Sequence, residues 1–214
     1  MARRHTRRDD TAVWWEGTYD EAASSYGDQH VYSYLVPGGP KVEVAAGGKN
    51  VAYPQIAGMW VTWVEASPWD AHPEEYSRMP IFGSFASART GTGNEPMELV
   101  PSAVAPIMGD ATWTYSLGKT FLAWEQAAAV GGLDTGTHVL DPMTVPAEPR
   151  SIGAEAWRPS VCLDNLVHWE NGLEFLDLQS REKREIDPKG NFPTAAPTFA
   201  AYFRLRGRRR SACL

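Results

Sequence analysis

The chain has 214 residues and a mass of 23.6 kDa, which suits one ordinary domain or one array of repeats with a sizeable core. Hydrophobic residues make up 43% and charged residues 21%, so neither a disordered polyelectrolyte nor a membrane-spanning chain is expected. The net charge is -6, but nine arginines crowd residues 3–8 and 204–210, leaving 11 basic against 26 acidic residues between them. This acidic body repels nucleic acid, which is therefore not an expected partner.

The two ends are predicted to be disordered basic tails, residues 1–9 and 206–214, because short terminal charge runs are usually solvated. No apolar stretch follows the first eight residues, so a secretory signal peptide is not predicted and the cytoplasm is the default expectation. Only two cysteines occur, Cys162 and Cys213. They are too few for a disulfide framework or a four-cysteine metal site.

A motif recurs four times along the chain: a Gly or Asp, an apolar run and then a tryptophan, with a glutamate two residues after Trp63 and one residue after the others. Its copies read DTAVWWE (10–16), GMWVTWVE (58–65), GKTFLAWE (118–125) and DNLVHWE (164–170). The recurring tryptophans are Trp15, Trp63, Trp124 and Trp169. A proline and an aliphatic residue precede three of the copies: Pro54 and Ile56, Pro106 and Ile107, Pro159 and Val161. We interpret the tryptophans as core residues of a repeat.

The segments after each tryptophan predict further short strands separated by turn residues. In chain order they are residues 30–36 and 41–45, 80–86 and 96–100, 137–141, and 172–178 and 181–186. No segment of a dozen residues has helical periodicity, although the alanine-rich residues 125–130 could form one helical turn. The sequence therefore predicts an all-β fold.

About four strands in each of four periods is the organisation of a β-propeller blade repeated radially. The sequence PSVCLDNLVHWENGLEFLDLQSRE, residues 159–182, resembles the repeats of TolB-like and WD-repeat-like propellers most closely, and the resemblance extends over residues 10–186. It implies a β-propeller-like domain over residues 10–205, with blades at 10–50, 51–104, 105–156 and 157–205. The first blade begins at its tryptophan strand, so residues 197–205 either complete it and close a ring, or the chain is an open arc, a fragment of a larger propeller.

In that strand order, the long loops after the tryptophan strands share one face with an acidic and aromatic character. This predicted loop face comprises Tyr19, Asp20, Tyr26, Asp28, Trp69, Asp70, His72, Glu75, Tyr76 and Asp134. Such a surface suits a cationic peptide, a sugar ring stacked on an aromatic side chain, or Ca²⁺ held by carboxylates. The alternative is that the carboxylates are merely solvated and the aromatic side chains pack locally.

The sequence contains no recognisable catalytic motif, neither a nucleophile elbow nor a phosphate-binding loop. The histidines lack the spacing of a metal site, so no catalytic residue, bound metal or cofactor is predicted, apart from the Ca²⁺ that the loop face would suit. The leading hypothesis is a non-catalytic binding module for a protein, peptide or glycan. The alternative is an enzyme or a fragment of one, either carbohydrate-active or the propeller part of a larger peptidase.

Overall fold

A computed structural model describes residues 5–8, 11–21, 25–35, 38–45, 50–68, 76–85, 96–106, 115–144, 147–196, 199–206 and 209–213. These residues form 21 strands and no helix. Among them there is accordingly no helix that could cross a bilayer. The chain divides into two compact units, Met1–Ala103 and Val104–Leu214.

The first unit contains two antiparallel blades; the strands of blade 1 pair in chain order, whereas in blade 2 a short strand intervenes in the chain between two paired strands. Blade 1 consists of β1 (His5–Arg8), β2 (Thr11–Asp20), β3 (Ser25–Leu35) and β4 (Lys41–Ala45). Blade 2 consists of β5 (Asn50–Ala57), β6 (Trp60–Pro68), β8 (Ile81–Phe85) and β9 (Met97–Val100). The short strand β7 (Tyr76–Arg78) pairs with the end of β6.

The second unit opens with β10 (Val104–Pro106) and contains two further four-stranded meanders. Blade 3 consists of β11 (Tyr115–Leu117), β12 (Leu122–Gln126), β13 (Gly136–Leu140) and β14 (Arg150–Gly153). Blade 4 consists of β15 (Trp157–Cys162), β16 (Asn165–Trp169), β17 (Leu173–Asp177) and β18 (Lys183–Asp187). A three-stranded C-terminal sheet follows: β19 (Gly190–Ala196), β20 (Phe199–Arg206) and β21 (Arg209–Cys213).

The four motif tryptophans occupy the same place in the four blades, on the second strand of each. Trp63 and Trp124 are fully buried, whereas Trp15 and Trp169 are half-buried. The blades thus repeat the motif as predicted. The last strand of blade 4 is far more exposed than these second strands: four of the five residues of β18 are exposed, and three of these four are charged. Charges on an outer strand discourage pairing with another chain, which explains this composition.

Each unit has a hydrophobic core formed where two blades pack face to face. In the first unit, Val13 and Val31 of blade 1 pack with Val51, Val61 and Trp63 of blade 2. In the second unit, the buried cluster joins blades 3 and 4 through Ala123, Val139, Val161, Leu166, Leu176 and Leu178. Full burial of an aliphatic side chain stabilises by about 1.5–3 kcal/mol, so a single thin sheet gains most of its stability from its neighbour.

The ends of the chain differ from the sequence-based prediction. Within the predicted disordered tails, His5–Arg8 pair with β2, and Arg209–Cys213 pair with β20. Blade 1 therefore has a first strand before its tryptophan strand. Both edges of β20 are paired inside the C-terminal sheet. The described part of the segment 197–205, which was predicted to complete blade 1 in the closed-ring alternative, therefore has β19 and β21 as neighbours. Backbone pairing satisfies the N–H and C=O groups of these polar segments, a gain that charge composition alone does not reveal.

Two details of the third blade differ from the other copies or from the prediction. Pro106, which precedes the third motif copy in the sequence, lies in β10, before β11, the first strand of that blade; Ile107 lies outside the described residues. The alanine-rich residues 125–130 form the end of β12 and an irregular turn closed by a bridge between Val130 and Leu133, rather than a helical turn. Backbone pairing of β12 on both sides outweighs the weak helical preference of three alanines.

Candidate functional site

The structure describes only part of the predicted loop face. Outside the described residues lie Trp69, Asp70, His72 and Glu75. Tyr76 begins β7, and Asp134 is exposed in the turn before β13. The backbone carbonyl of Asp134, rather than its carboxylate, accepts a hydrogen bond from Nε2 of buried His138 at 2.8 Å. The structure therefore gives Asp134 a local role in fixing an imidazole and leaves its carboxylate in solvent.

Four residues of the predicted loop face lie on a pair of long strands instead of in a loop. Tyr19 and Asp20 lie on β2 and Tyr26 and Asp28 lie on β3, with Tyr19 paired to Tyr26. A register shift between Glu16 and Thr18 marks a bulge, opposite which Asp28 adopts a positive φ of 48°. Aspartate tolerates this conformation better than most residues. The polar composition that suggested a loop belongs to the paired ends of two long strands.

Asp28 belongs to a surface formed by the outward side chains of β2, β3 and β4. We call it the blade 1 surface: Trp14, Glu16, Asp28, His30, Tyr32, Lys41 and Glu43. Alternation along the strands places these side chains opposite the core, because Val13, Val31 and Val44 belong to or pack on the core cluster. The surface is therefore acidic and aromatic, as the predicted loop face is, but it lies on a sheet.

Lys41 is held at the centre of this surface. Its Nζ lies 3.5 Å from the centroid of the Tyr32 ring and 5.7 Å from that of Trp14. The same Nζ donates to Glu16 Oε2 at 2.8 Å, while Trp14 Nε1 donates to Glu16 Oε1 at 2.9 Å and fixes the carboxylate. The aromatic rings and the carboxylate together bind an ammonium group on a surface where the lysine side chain is still 44% exposed.

His30 lies between two carboxylates on the same surface. Its Nδ1 is 2.6 Å from Glu43 Oε1 and its Nε2 is 3.0 Å from Asp28 Oδ1. Because carboxylate oxygens only accept, both contacts are hydrogen bonds only when both ring nitrogens carry a proton. The bond to Glu43 in particular raises the pKa of His30 above its ordinary value, against the opposing effect of burial. The ring also stacks on Tyr32 at 5.9 Å between centroids.

The glutamates beside the motif tryptophans have local partners. Glu16 pairs with Lys41, Glu125 Oε2 accepts from the backbone of Arg158 at 3.4 Å, and Glu170 pairs with Lys183 at 2.6 Å. These contacts are made within individual blades or between adjacent ones. They give each glutamate a different environment.

Blade 4 carries a polar cluster that was not predicted from the sequence. His168, Glu170 and Glu174 bring one ligand atom each within 4.8 Å of the others, although the spacing of the histidines predicts no metal site. The missed signal is the register of a hairpin: the Asn171-Gly172 turn places His168 directly opposite Glu174. Lys183 lowers the pKa of Glu170, and burial lowers the pKa of His168.

Comparisons with known proteins point to the fold. No protein-family profile and no curated protein sequence matches this chain. The structure is similar to a prolyl endopeptidase, with a TM-score of 0.56 and 9% identity, over 94% of this chain and 32% of that one. Together with four four-stranded meanders, this likeness decides the fold. The chain has a β-propeller-type fold.

Two further similar structures are TolB from Acinetobacter baumannii and the β-propeller domain of the Trilobed protease from Pyrococcus furiosus. TolB has a TM-score of 0.47 and 12% identity, over 94% of this chain and 47% of TolB. The protease domain has a TM-score of 0.41 and 6% identity, over 98% of this chain and 80% of that domain. This chain spans about a third of the prolyl endopeptidase and about half of TolB. The predicted resemblance to propeller repeats is confirmed as a likeness of fold by the prolyl endopeptidase match and the four antiparallel blades.

Proposed function

We propose that this chain is a non-catalytic binding module of the β-propeller type, and that the blade 1 surface binds a cationic side chain of a peptide. One observation carries the proposal: the surface already holds the Lys41 ammonium between the Tyr32 ring, the Trp14 ring and the Glu16 carboxylate. Aromatic faces beside carboxylates are the chemistry that recognises ammonium and guanidinium groups. Lys41 is held by contacts that an incoming lysine or arginine would reproduce.

The charge of the surface supports a cationic partner. Three carboxylates, Glu16, Asp28 and Glu43, face two basic groups, Lys41 and His30. Displacement of the Lys41 side chain into solvent would leave the carboxylates in excess and two aromatic rings uncovered. An anionic partner would meet repulsion at the same place. A sugar ring would have to displace Lys41 to stack on these rings, and it would bring no positive charge to replace the lost ion pair with Glu16.

The test uses a fluorescent pentalysine peptide titrated with the full chain at low salt, with binding followed by anisotropy. Lys41→Met frees the aromatic position, and Lys119→Met, at an exposed site in the second unit, removes the same charge elsewhere. We expect Lys41→Met to bind the peptide about 2- to 5-fold more tightly than Lys119→Met, the size of one surface cation–π contact. Tyr32→Leu added to Lys41→Met should remove the gain.

Equal affinities for the two lysine variants would show that only net charge matters, and the proposal would be wrong. Circular dichroism of each variant checks that the fold is retained, since Lys41 also pairs with Glu16. A pentaglutamate peptide serves as the negative control and should not bind.

A further inference from the structure

The polar cluster of blade 4 is formed by backbone register. His168 lies on β16 directly opposite Glu174 on β17. Glu170 follows His168 by two residues, so alternation places both side chains on the same face. Gly153 of blade 3 lies next to the Glu170 carboxylate, since a Cβ added there would be 3.7 Å from Oε1 and 3.8 Å from Oε2. The cluster therefore lies where blades 3 and 4 face each other.

The imidazole of His168 is buried without a hydrogen-bond partner. Its side chain is 0% exposed, and neither Nδ1 nor Nε2 makes a hydrogen bond to any described residue. Nε2 points at two carboxylate oxygens, Glu170 Oε2 at 3.5 Å and Glu174 Oε2 at 3.6 Å. Buried polar atoms are nearly always satisfied, so an unsatisfied imidazole aimed at two carboxylates calls for a group between them.

The distances between the imidazole nitrogen and the two carboxylate oxygens suit a small cation with tetrahedral coordination. Ligand atoms about 2.1 Å from a tetrahedral Zn²⁺ lie roughly 3.4 Å from one another. The two separations from His168 Nε2, 3.5 and 3.6 Å, are close to this value. An imidazole with two carboxylates is also a donor set that zinc accepts, whereas Ca²⁺ and Mg²⁺ prefer oxygen alone. Three protein ligands would leave one position for water.

A positive charge already occupies the mouth of the cluster. Lys183 Nζ lies 2.6 Å from Glu170 Oε2 and 2.5 Å from Glu174 Oε2, so it bridges the same two oxygens that would bind a metal. Its side chain is 43% exposed and carried by the outer strand β18, so it can move into solvent without disturbing the core.

We propose that His168, Glu170 and Glu174 bind one Zn²⁺ ion, and that Lys183 bridges the two carboxylates when the metal is absent. The site is independent of the blade 1 surface and is made entirely by the second unit. If Lys183 and the metal compete for the same two carboxylates, removal of Lys183 should improve zinc binding. A lysine that only forms a structural ion pair would not have this effect.

The test is isothermal titration of the chelator-treated, tag-free full chain with ZnCl₂, with bound metal counted by mass spectrometry. We expect one zinc per chain. Glu174→Gln should weaken binding by about 10- to 100-fold, while the matched change Glu182→Gln at an exposed site should leave it unchanged. Lys183→Met should tighten binding relative to Lys189→Met, which removes the same charge from an exposed site just after blade 4.

Co²⁺ provides a second readout, since tetrahedral coordination gives an intense visible absorption that loose surface binding does not. Absence of stoichiometric zinc, or equal binding by Glu174→Gln and Glu182→Gln, would overturn the proposal. Weaker or unchanged binding in Lys183→Met relative to Lys189→Met would overturn the exchange with Lys183. Circular dichroism of the metal-free variants separates a lost ligand from a lost fold.

Discussion

At the residue scale, strand pairing on the blade 1 surface brings together charged side chains that are separated in the sequence. Asp28 and His30 are two residues apart, so alternation brings them to one face, and Glu43 reaches the same imidazole from β4. Asp28 was predicted as a ligand-binding residue, but His30 and Glu43 were not. Their contact depends on the pairing of β3 with β4 and on a register shift between Val31 and Tyr32, which no local pattern specifies.

His30 makes stability depend on pH. Its folded pKa is raised above the ordinary value of 6.5, chiefly by the hydrogen bond to Glu43, so its contribution is fully present below pH 6.5. The contribution is lost as pH rises through the folded pKa. Both partners are partly exposed, at 75% for Asp28 and 44% for Glu43, so the effect is that of a surface pair, about 0.2–1 kcal/mol.

We expect His30→Gln to unfold at lower urea than the native chain below pH 6.5, with the difference shrinking as the pH is raised to about 8. Urea titrations at several pH values measure it. In a background of Asp28→Asn with Glu43→Gln, which removes the groups that raise the pKa of His30, the difference should no longer shrink as the pH is raised. A native-to-variant difference that grows with pH would contradict the raised pKa.

At the element scale, the second strand of each blade could be predicted because it is marked by composition. An apolar run ending in tryptophan is buried on both faces in blade 3, where four of the five residues of β12 are buried. The weakly marked elements were missed. β19 contains Gly190 and Pro193, which are uncommon inside strands, and all four residues of β1 are polar. Their pairing depends on neighbours that lie elsewhere in the sequence, so local propensity carries little information about them.

Blade 3 depends on the close approach of two strands at a glycine. Gly136 has φ of 106°, and a Cβ there would lie 2.1 Å from the carbonyl oxygen of Gly153 on β14. This neighbour is backbone and cannot turn away. Gly132, in the turn before β13, has a similar φ of 81° but open space around it.

We expect Gly136→Ala to lower the free energy of unfolding by roughly 2–4 kcal/mol, because backbone strain and a steric clash add. Gly132→Ala should cost only about 1 kcal/mol, from the strain of a positive φ alone. Chemical denaturation of both variants measures the difference. Similar losses at the two positions would mean that β13 and β14 can separate without penalty, contrary to the observed contact.

At the scale of the whole molecule, repetition made the fold predictable. Four copies of one motif imply four similar units, and a thin sheet with two apolar faces has to stack on another. The number of blades and the class of fold follow from that. The polar cluster of blade 4 and the blade 1 surface could not be predicted in this way. Their side chains come together only through the register of the paired strands.

The two hydrophobic clusters predict how the chain loses structure. Val31 belongs to the cluster of blades 1 and 2, and Leu166 to that of blades 3 and 4; each is fully buried. Leu166→Ala removes buried methyl groups and leaves a cavity, a loss of about 2–5 kcal/mol. Because each described cluster draws on one unit only, the damage should remain in that unit.

Hydrogen exchange followed by mass spectrometry tests this directly. Leu166→Ala should accelerate amide exchange in peptides from residues 115–187 and leave those from residues 25–68 at the native rate. Val31→Ala should have the reciprocal effect, which excludes a general sensitivity to cavities. Acceleration of both regions by either substitution would mean that the four blades unfold as a single cooperative core, since a local cavity raises the opening rate of every amide in its own cooperative unit.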